Sequence, residues 1–475
     1  MSAEPRRPLH FIAIGGAGMS GLALVCHRLG HRVTGSDRVE SASVERLRAA
    51  GIEPSIGHEA DAVPADAEVV VSTAVPEDNE ELVRARERGQ PVIHRAELLA
   101  RLCAGRRLIA VAGAHGKTTT AGMIVHALRA AGADPAFVLG GELPGAGPEG
   151  APANAAWGGS DWIVAEADES DGSFLRLSPE VAVVTNVELD HHSHWGGEGE
   201  LIDAFARFTA PAAALIRPAD ARLGALDGAG RVLSFAVAPA PGDAPPPPPA
   251  LLASEIVPER GGTAFRLASE SLGGHPVRLA VPGRHNVADA TAAIGALACA
   301  RERDDGLPPL ADMIAALERF PGMARRLERK GEREGAVVYD DYAHHPTEVA
   351  ASLAALRELP HRRLIAVFQP HLYSRTKALA ARFGRALAAA DEIGVLDVYP
   401  ARELPVGPLA GVSGLAVAAA AADAAPGRRV SWMVDADRAE RALAGRLGAG
   451  DIVVTLGAGD VFRLADRLVA AGGGR

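Results

Sequence analysis

Cysteine is nearly missing from this chain of 475 residues, and the three present, Cys26, Cys103 and Cys299, are odd in number and far apart. That argues against a disulfide framework or a cysteine zinc cluster, fits a reducing cytosol, and leaves all three as core thiols. An excess of basic residues is missing too: Lys+Arg of 49 against Asp+Glu of 59 gives a net charge of −10. Without a basic run, broad binding to nucleic acid or an anionic membrane is excluded, so positive charge for a phosphorylated ligand must be local. No stretch approaches about 18 uninterrupted apolar residues, so no membrane span is expected. Arg6 and Arg7 ahead of an apolar stretch resemble a secretion signal, but Gly15, Gly16, Gly18 and Gly21 within it suit a phosphate turn instead. The expected setting is cytoplasmic. At this length, with 48% hydrophobic and 23% charged residues, the chain is an ordinary globular protein of two to four domains.

One further absence concerns a motif. The strict P-loop spacing fails because Val111 stands where its first glycine belongs, yet everything after it is present. Leu108 to Val111 reads as a buried parallel strand. Gly113, Ala114, His115, Gly116, Lys117, Thr118 and Thr119 follow, and then helical apolar spacing at Met123, Ile124, Ala127 and Leu128 up to Gly132. Strand, glycine turn and helix with Gly-Lys-Thr in the first turn make a phosphate cradle: backbone N–H groups and the helix dipole face an anion, lysine adds charge, and a hydroxyl reaches a metal. A nucleoside triphosphate is the expected ligand.

Upstream, the strand from His10 to Ile14 leads into Gly16, Gly18 and Gly21, a G-x-G-x-x-G, with a helix to Leu29 and a second strand ending at Asp37. This is the shape of a dinucleotide fold, in which the acidic residue meets a ribose hydroxyl. By itself it also admits a nicotinamide-dependent oxidoreductase. A strand at Glu68 to Ser72 and a helix at Glu80 to Arg88 follow, and a boundary is expected where composition turns basic at Arg101 to Arg107.

Downstream of the cradle, the strand Asp161 to Glu166 runs into Asp168, Glu169, Ser170 and Asp171. The strand Val181 to Thr185 runs into Asn186, Glu188, Asp190 and His191. Both clusters then sit at the carboxyl edge of a parallel sheet beside the cradle, where oxygen ligands can hold magnesium against a triphosphate. Pro239 to Pro249 is an extended surface insertion. Gly283, Arg284, His285 and Asn286 open an alanine-rich helix, where Asn286 is either a cap or an adenine contact. A third unit carries the strand Val337 to Tyr339 ahead of Asp340, Asp341, Tyr342, His344 and His345, with a helix opening at Thr347. Its strand Leu364 to Phe368 precedes Gln369, His371, Leu372 and Arg375, and Ile452 to Leu456 precedes Gly457, Gly459 and Asp460. The expected fold is α/β in three domains: residues 1–104 Rossmann-like, 105–321 a central P-loop ATP-binding domain, and 322–475 a second Rossmann-like doubly wound sheet.

Taken together, HFIAIGGAGMSGLA, AVAGAHGKTTT, EADESDGSFL, TNVELDH, GRHN, RRLE, DDYAHHPTE, FQPHLYSRTK and TLGAGD cover nearly the whole length in order. In this the chain resembles the Mur ligases of peptidoglycan synthesis. The resemblance implies that the first glycine turn, with Gly16, Gly18, Met19, Ser20 and Asp37, holds the UDP part of a sugar nucleotide. Lys117 and the surrounding amides of Gly113 to Thr119 hold ATP, and Thr118, Glu166 and His191 hold magnesium. Asn286 meets adenine, Arg326 and Asp341 the nucleotide, and Tyr342, His344 and Arg375 the amino-acid end. Three positions depart from the family pattern: Ala114 and Asp289, where threonine and asparagine are common, and Leu372, where some members have arginine.

The implied reaction is ATP-dependent attachment of L-alanine to the carboxylate of UDP-N-acetylmuramate through an acyl phosphate, with Lys117 and metal ions offsetting charge and His344 a candidate base. A family branch that attaches a preformed peptide to the same sugar, and a non-enzymatic UDP-sugar sensor, are the alternatives. Closure of the third unit over the second on nucleotide binding is also expected.

Overall fold

The computed structural model describes residues 7–189, 195–227, 230–239, 244–401 and 403–470. Three sheets carry the chain. In the first, the order is Ser55–Ile56, Val33–Asp37, Leu9–Ile12, Glu68–Val71, Val92–His94, all parallel. The order reverses beside Leu9–Ile12, so the loops that leave this strand and Glu68–Val71 flank a crevice at the carboxyl edge.

The second sheet has ten strands. Arg107–Ala112 lies in its middle between Val181–Val184 and Trp162–Glu166, with Ala136–Leu143 and Ala153–Ala156 beyond the latter. On the other side follow Ala214–Pro218, Arg231–Val237, Leu251–Glu259, Gly262–Ser269 and Gly273–Leu279. The third sheet runs Glu328–Arg333, Ala336–Asp341, Asp451–Leu456, Arg363–Phe368, Glu392–Val395, Arg429–Trp432, parallel except for the first, antiparallel edge strand. The expected α/β class with three sheets is what is observed. No helix among the described residues is long and apolar enough to cross a membrane, and Cys26, Cys103 and Cys299 are buried and outside any disulfide. The described part of the proline-rich insertion, residues 239 and 244–249, forms neither helix nor strand and is largely exposed.

Two compact units result. One comprises Met1–Ser254, Arg266–Val277 and Ala288–Phe320; the other comprises Glu255–Phe265, Arg278–Val287 and Pro321–Arg475. The first unit thus contains the first sheet and most of the cradle sheet, for a reason visible in the helix after the first glycine turn, Ala17–Arg28. Its residues Met19, Leu22, Ala23, Val25 and Cys26 are all buried, and a helix apolar over most of its circumference needs cover on more than one side. They join one hydrophobic core with Leu98 and Leu99 from the first sheet's last helix, with Val138 and Ala155 from the cradle sheet, and with Phe174 and Phe205 from the helical segments Ser173–Arg176 and Glu198–Thr209. Gly21 makes the close approach possible: a Cβ there would stand 3.1 Å from Ala155 Cβ and 3.2 Å from Asn154 Nδ2. The last glycine of the G-x-G-x-x-G therefore serves packing against a strand of the neighbouring sheet. Asn154 adds a tie, with Nδ2 donating to Ala17 O at 2.7 Å.

Placing valine at position 21 overpacks this contact. Gly21→Val is expected to cost about 1–3 kcal/mol, measurable as a shift of the urea midpoint followed by tryptophan fluorescence.

Candidate active site

The cradle is shaped by its neighbour strand. Because Val184 pairs with Ala112, the residues after each strand emerge side by side. Thr185 Oγ1 lies 2.5 Å from His115 O and 3.2 Å from Ala112 O. The Asn186 amide brackets the same peptide, donating from Nδ2 to His115 O at 2.8 Å and accepting at Oδ1 from His115 N–H at 3.0 Å. His115 Nε2 is 3.0 Å from Glu188 Oε2. Gly113 and Gly116 adopt φ of +135° and +79°, a region L side chains rarely enter. A Cβ at Gly113 would meet Thr185 Oγ1 at 2.1 Å, and one at Gly116 would meet Asp289 Oδ1 at 2.3 Å. Val111 in place of the first P-loop glycine is harmless, since it lies within the strand, paired with Val183 and Glu166.

Lys117 opens the helix Lys117–Ala130. Its Nζ donates to Gly113 O, to Ala114 O at 3.3 Å and to Glu169 Oε1 at 3.2 Å, and forms an ion pair with Glu169 Oε2 at 3.0 Å. Burial works against its charge, but Glu169 and Asp168 more than compensate and raise its pKa above the ordinary lysine value. Burial likewise works against the Asp168 charge, while Lys117 and Arg95 hold its pKa well below the usual carboxylate range. The acidic loop is anchored from behind. Phe174 packs edge-on to Trp195 and Phe205, with ring centroids 6.5 and 5.2 Å away, and Trp195 Nε1 donates to Glu169 O at 3.0 Å.

Thr118 Oγ1 donates to Glu166 Oε2 at 3.1 Å, and Glu166 Oε1 accepts from Gly140 N–H at 2.5 Å. A hydroxyl and a carboxylate this close, beside the cradle, form a hard-oxygen pair that fits magnesium. His191, the third expected ligand, lies outside the described residues, as do Asp190, His192 and His194.

At the first glycine turn, Asp37 Oδ2 accepts from Gly15 N–H at 2.9 Å and Oδ1 from Val39 N–H at 3.3 Å. Asp37 thus shapes the turn with the same carboxylate expected to meet a ribose. Gly16 is the residue before the helix. The Met19 side chain belongs to the core. Ser20 is buried with its hydroxyl bonded to Ala17 O at 3.2 Å and its N–H to Gly16 O, so neither Met19 nor Ser20 presents its side chain to a ligand. Sequence reasoning missed Arg95, which follows the strand Val92–His94. Its Nη2 donates to Asp168 Oδ2 at 2.5 Å, and its Nη1 lies 3.4 Å from where a Gly18 Cβ would be. Thr73 Oγ1 donates to Asp171 Oδ2 at 3.3 Å. The carboxyl edges of the first and cradle sheets therefore face each other across the loop 168–171. An "RAE" after a short strand carries no signal for this, because the partner is 73 residues away.

In the second unit, Asp341, Leu456 and Phe368 stand at one level on adjacent strands, so the loops DDYAHH, LGAGD and QPHLYSR emerge together. Gln369 ties two of them: Oε1 accepts from Val461 N–H at 3.1 Å and Nε2 donates to Asp460 Oδ1 at 2.8 Å. Rings continue the edge, with His344 and His371 centroids 6.1 Å apart and His371 stacked on Tyr399 at 5.8 Å. The Arg325 and Arg326 guanidiniums lie 4.8 and 5.2 Å from the Tyr342 ring centroid. His344 Nδ1 is 3.0 Å from Tyr342 O. A carbonyl can only accept, so Nδ1 carries a proton.

Arg375 lies in the first turn of Tyr373–Leu387, after Leu372 at φ +68°. Asp341 is buried, accepting from Leu327 N–H at 3.1 Å, Ala343 N–H at 2.9 Å and Ser352 Oγ at 2.8 Å. Two helix starts differ from expectation. His345, not a later residue, caps the helix Pro346–Arg357, which therefore opens before Thr347. Asn286 lies inside the first turn of Arg284–Arg303 and donates from Nδ2 to Pro282 O at 2.7 Å, so it is no cap.

Two predictions follow from these contacts. Thr185→Val removes the hydroxyl that ties the cradle, with an expected loss of about 1–2 kcal/mol in stability and several-fold weaker binding of a magnesium–ATP analogue, read by calorimetry. Burial pushes the Asp341 carboxyl from 3.8 up to about 6, against Arg326 and the Ser352 hydroxyl. Its native pKa is the higher one, so the folded state binds the proton more tightly. Stability is then lost as pH rises from about 4 to about 6, by on the order of 3 kcal/mol at most, and is flat above. In Asp341→Asn this part of the pH–stability slope should vanish.

A phosphate cradle, a carboxylate–hydroxyl pair beside it, and a second glycine turn facing it define a nucleotide-dependent enzyme assembled from three α/β sheets. Family comparison agrees with this class. "Mur ligase family, catalytic domain" matches residues 8–107, "Mur ligase middle domain" 111–297 and "Mur ligase, glutamate ligase domain" 325–459. The chain is 44% identical to UDP-N-acetylmuramate–L-alanine ligase of Mycobacterium marinum, covering 99% of this chain and 96% of that one. It is 45% identical to the enzyme of the same name from Rubrobacter xylanophilus, over 97% and 99%. Among solved structures, UDP-N-acetylmuramate-alanine ligase of Thermotoga maritima superposes with a TM-score of 0.82 at 26% identity, over 98% and 99% of the two chains. The chain belongs to the Mur ligase family.

Proposed function

We propose that this chain joins L-alanine to the lactyl carboxylate of UDP-N-acetylmuramate with conversion of ATP to ADP and phosphate, a step of peptidoglycan precursor synthesis. The supporting observation is the facing of two carboxyl edges within one unit: the cradle with Lys117, and the first glycine turn with Asp37 and Arg95. A triphosphate on one and a sugar nucleotide on the other bring a carboxylate toward a γ-phosphate. The relatives' shared name favours alanine over a preformed peptide as the second substrate.

In this reading, residues 1–104 bind the sugar nucleotide, 105–321 bind ATP, and 322–475 supply the amino-acid end. A lactyl carboxylate oxygen bonds to the γ-phosphorus as its bond to the bridging oxygen breaks, giving an acyl phosphate and ADP. The alanine nitrogen then bonds to the acyl carbon, the carbon–oxygen bond to phosphate breaks, and the amine loses its proton. Lys117 and the amides of residues 113–119 offset charge on the phosphates. Magnesium, held by Thr118, Glu166 and His191, would supply Lewis-acid stabilisation of the same oxygens. His344 serves as the base in this reading because an imidazole can take up the amine proton, with Tyr342 and Arg375 beside it in role. Arg326 and Asn286 serve the nucleotide, and Asp341 acts by fixing the backbone at Leu327 and Ala343. A cytoplasmic setting accords with three buried cysteines outside any disulfide.

The test is phosphate release from magnesium–ATP with UDP-N-acetylmuramate, in parallel with L-alanine, with the tripeptide L-Ala-γ-D-Glu-meso-diaminopimelate, and with neither. Release requiring alanine, with product heavier by one alanyl residue, is expected; release only with the tripeptide would assign the chain to peptide recycling. Lys117→Ala is expected to lower kcat by about 10²–10³-fold or more.

A further inference from the structure

Arg95 stands between two groups of opposite demand. On one side its guanidinium is held by Asp168 at 2.5 Å, with Asp171 at 4.0 Å. On the other side Nη1 lies against the first turn of Ala17–Arg28, 3.4 Å from the Cβ that Gly18 lacks. The first N–H groups of that helix have no intrahelical acceptor and face an anion. A guanidinium carries five donors in a planar fork that suits phosphate or carboxylate oxygens, and Asp168 engages only one edge of it.

Asp168 adjoins Glu169, whose carboxylate lies 3.0 Å from Lys117 Nζ of the ATP cradle. The chain Arg95–Asp168–Glu169–Lys117 thus connects the two facing edges, one cation from each sheet with the acidic loop between them. Two anionic ligands bound on these edges repel each other, and the repulsion is strong where water is excluded.

We propose that Arg95 binds an anionic oxygen of the sugar nucleotide at the first glycine turn and, held by Asp168, screens that ligand from the triphosphate so that both are bound at once. The proposal rests on the reading that the sugar nucleotide occupies this turn. Arg95 is then a substrate-binding residue whose second effect is thermodynamic: it sets the coupling between the two ligands, which must be equal in both directions.

Calorimetry on the full chain tests this. Dissociation constants for UDP-N-acetylmuramate and for a non-hydrolysable magnesium–ATP analogue are measured alone and in each other's presence, for wild type, Arg95→Lys and Arg95→Gln, together with thermal unfolding. In Arg95→Gln the sugar nucleotide alone should bind about tenfold or more weakly, the ATP analogue alone within about twofold of wild type, and each ligand should weaken the other by one common factor absent from wild type. Arg95→Lys, which keeps the charge but not the fork, should be intermediate in both respects. Sugar-nucleotide affinity unchanged in Arg95→Gln overturns the proposal. So does an equal loss for both ligands in both variants with lowered melting temperature, which marks Arg95 as a structural clasp. Failure of the wild type to bind the sugar nucleotide overturns the functional reading itself, and the proposal with it.

Discussion

A lysine ammonium set largely out of water is the interaction on which the rest of this unit is arranged. Lys117 is only 19% exposed, and a charge so placed is tolerated only with partners of opposite sign and full hydrogen bonding. Glu169, Asp168 and two cradle carbonyls meet that demand. To bring them there, the strand Trp162–Glu166 must lie beside Arg107–Ala112, and the loop after it must be held from behind by Phe174 and Trp195. Asp168, once in place, carries a second cation, Arg95, and so fastens the first sheet to the cradle sheet.

That fastening explains why two sheets with separate glycine turns form one compact unit. Apolar burial of the helix Ala17–Arg28 between them supplies the non-directional part of the association, and Asn154, Thr73 and Arg95 supply the directional part. Gly21 lets the helix approach the strand Ala153–Ala156, and the guanidinium of Arg95 lies beside Gly18, so two glycines of one short motif border different partners. The crevice at the strand-order reversal of the first sheet thereby opens toward the cradle.

The second unit builds its edge by another device. Its loops are aligned by strand register and knitted by one side chain, Gln369, whose two ends hold Asp460 and Val461. Gly457 and Gly459 are required by the same residue: a Cβ on either would stand 2.7 Å from Gln369 O or 2.3 Å from its Oε1. Asp341 is used in the interior, where its three accepted hydrogen bonds set the course of the backbone on both sides of the strand.

Much of this was legible in the amino-acid order. Hydrophobic runs ending in glycine or acidic residues placed the strands and their functional ends, because the period of burial and the need for positive φ are local properties. The cradle, the acidic clusters and the three-sheet α/β class came from such local signals, and the combination of motifs carried the family. Other features depended on pairings far apart in the chain. Met19 and Ser20 lie within a glycine motif yet face the interior because a second sheet covers their helix. Asn286 is no cap because its helix begins two residues earlier, and Arg95 acquires its role only from Asp168, 73 residues on. Sequence by itself determined which segments end in phosphate-binding or acidic turns; tertiary structure alone decided which of those turns face one another, because strand order and the burial of a two-sided helix are settled by long-range contacts that no local pattern encodes.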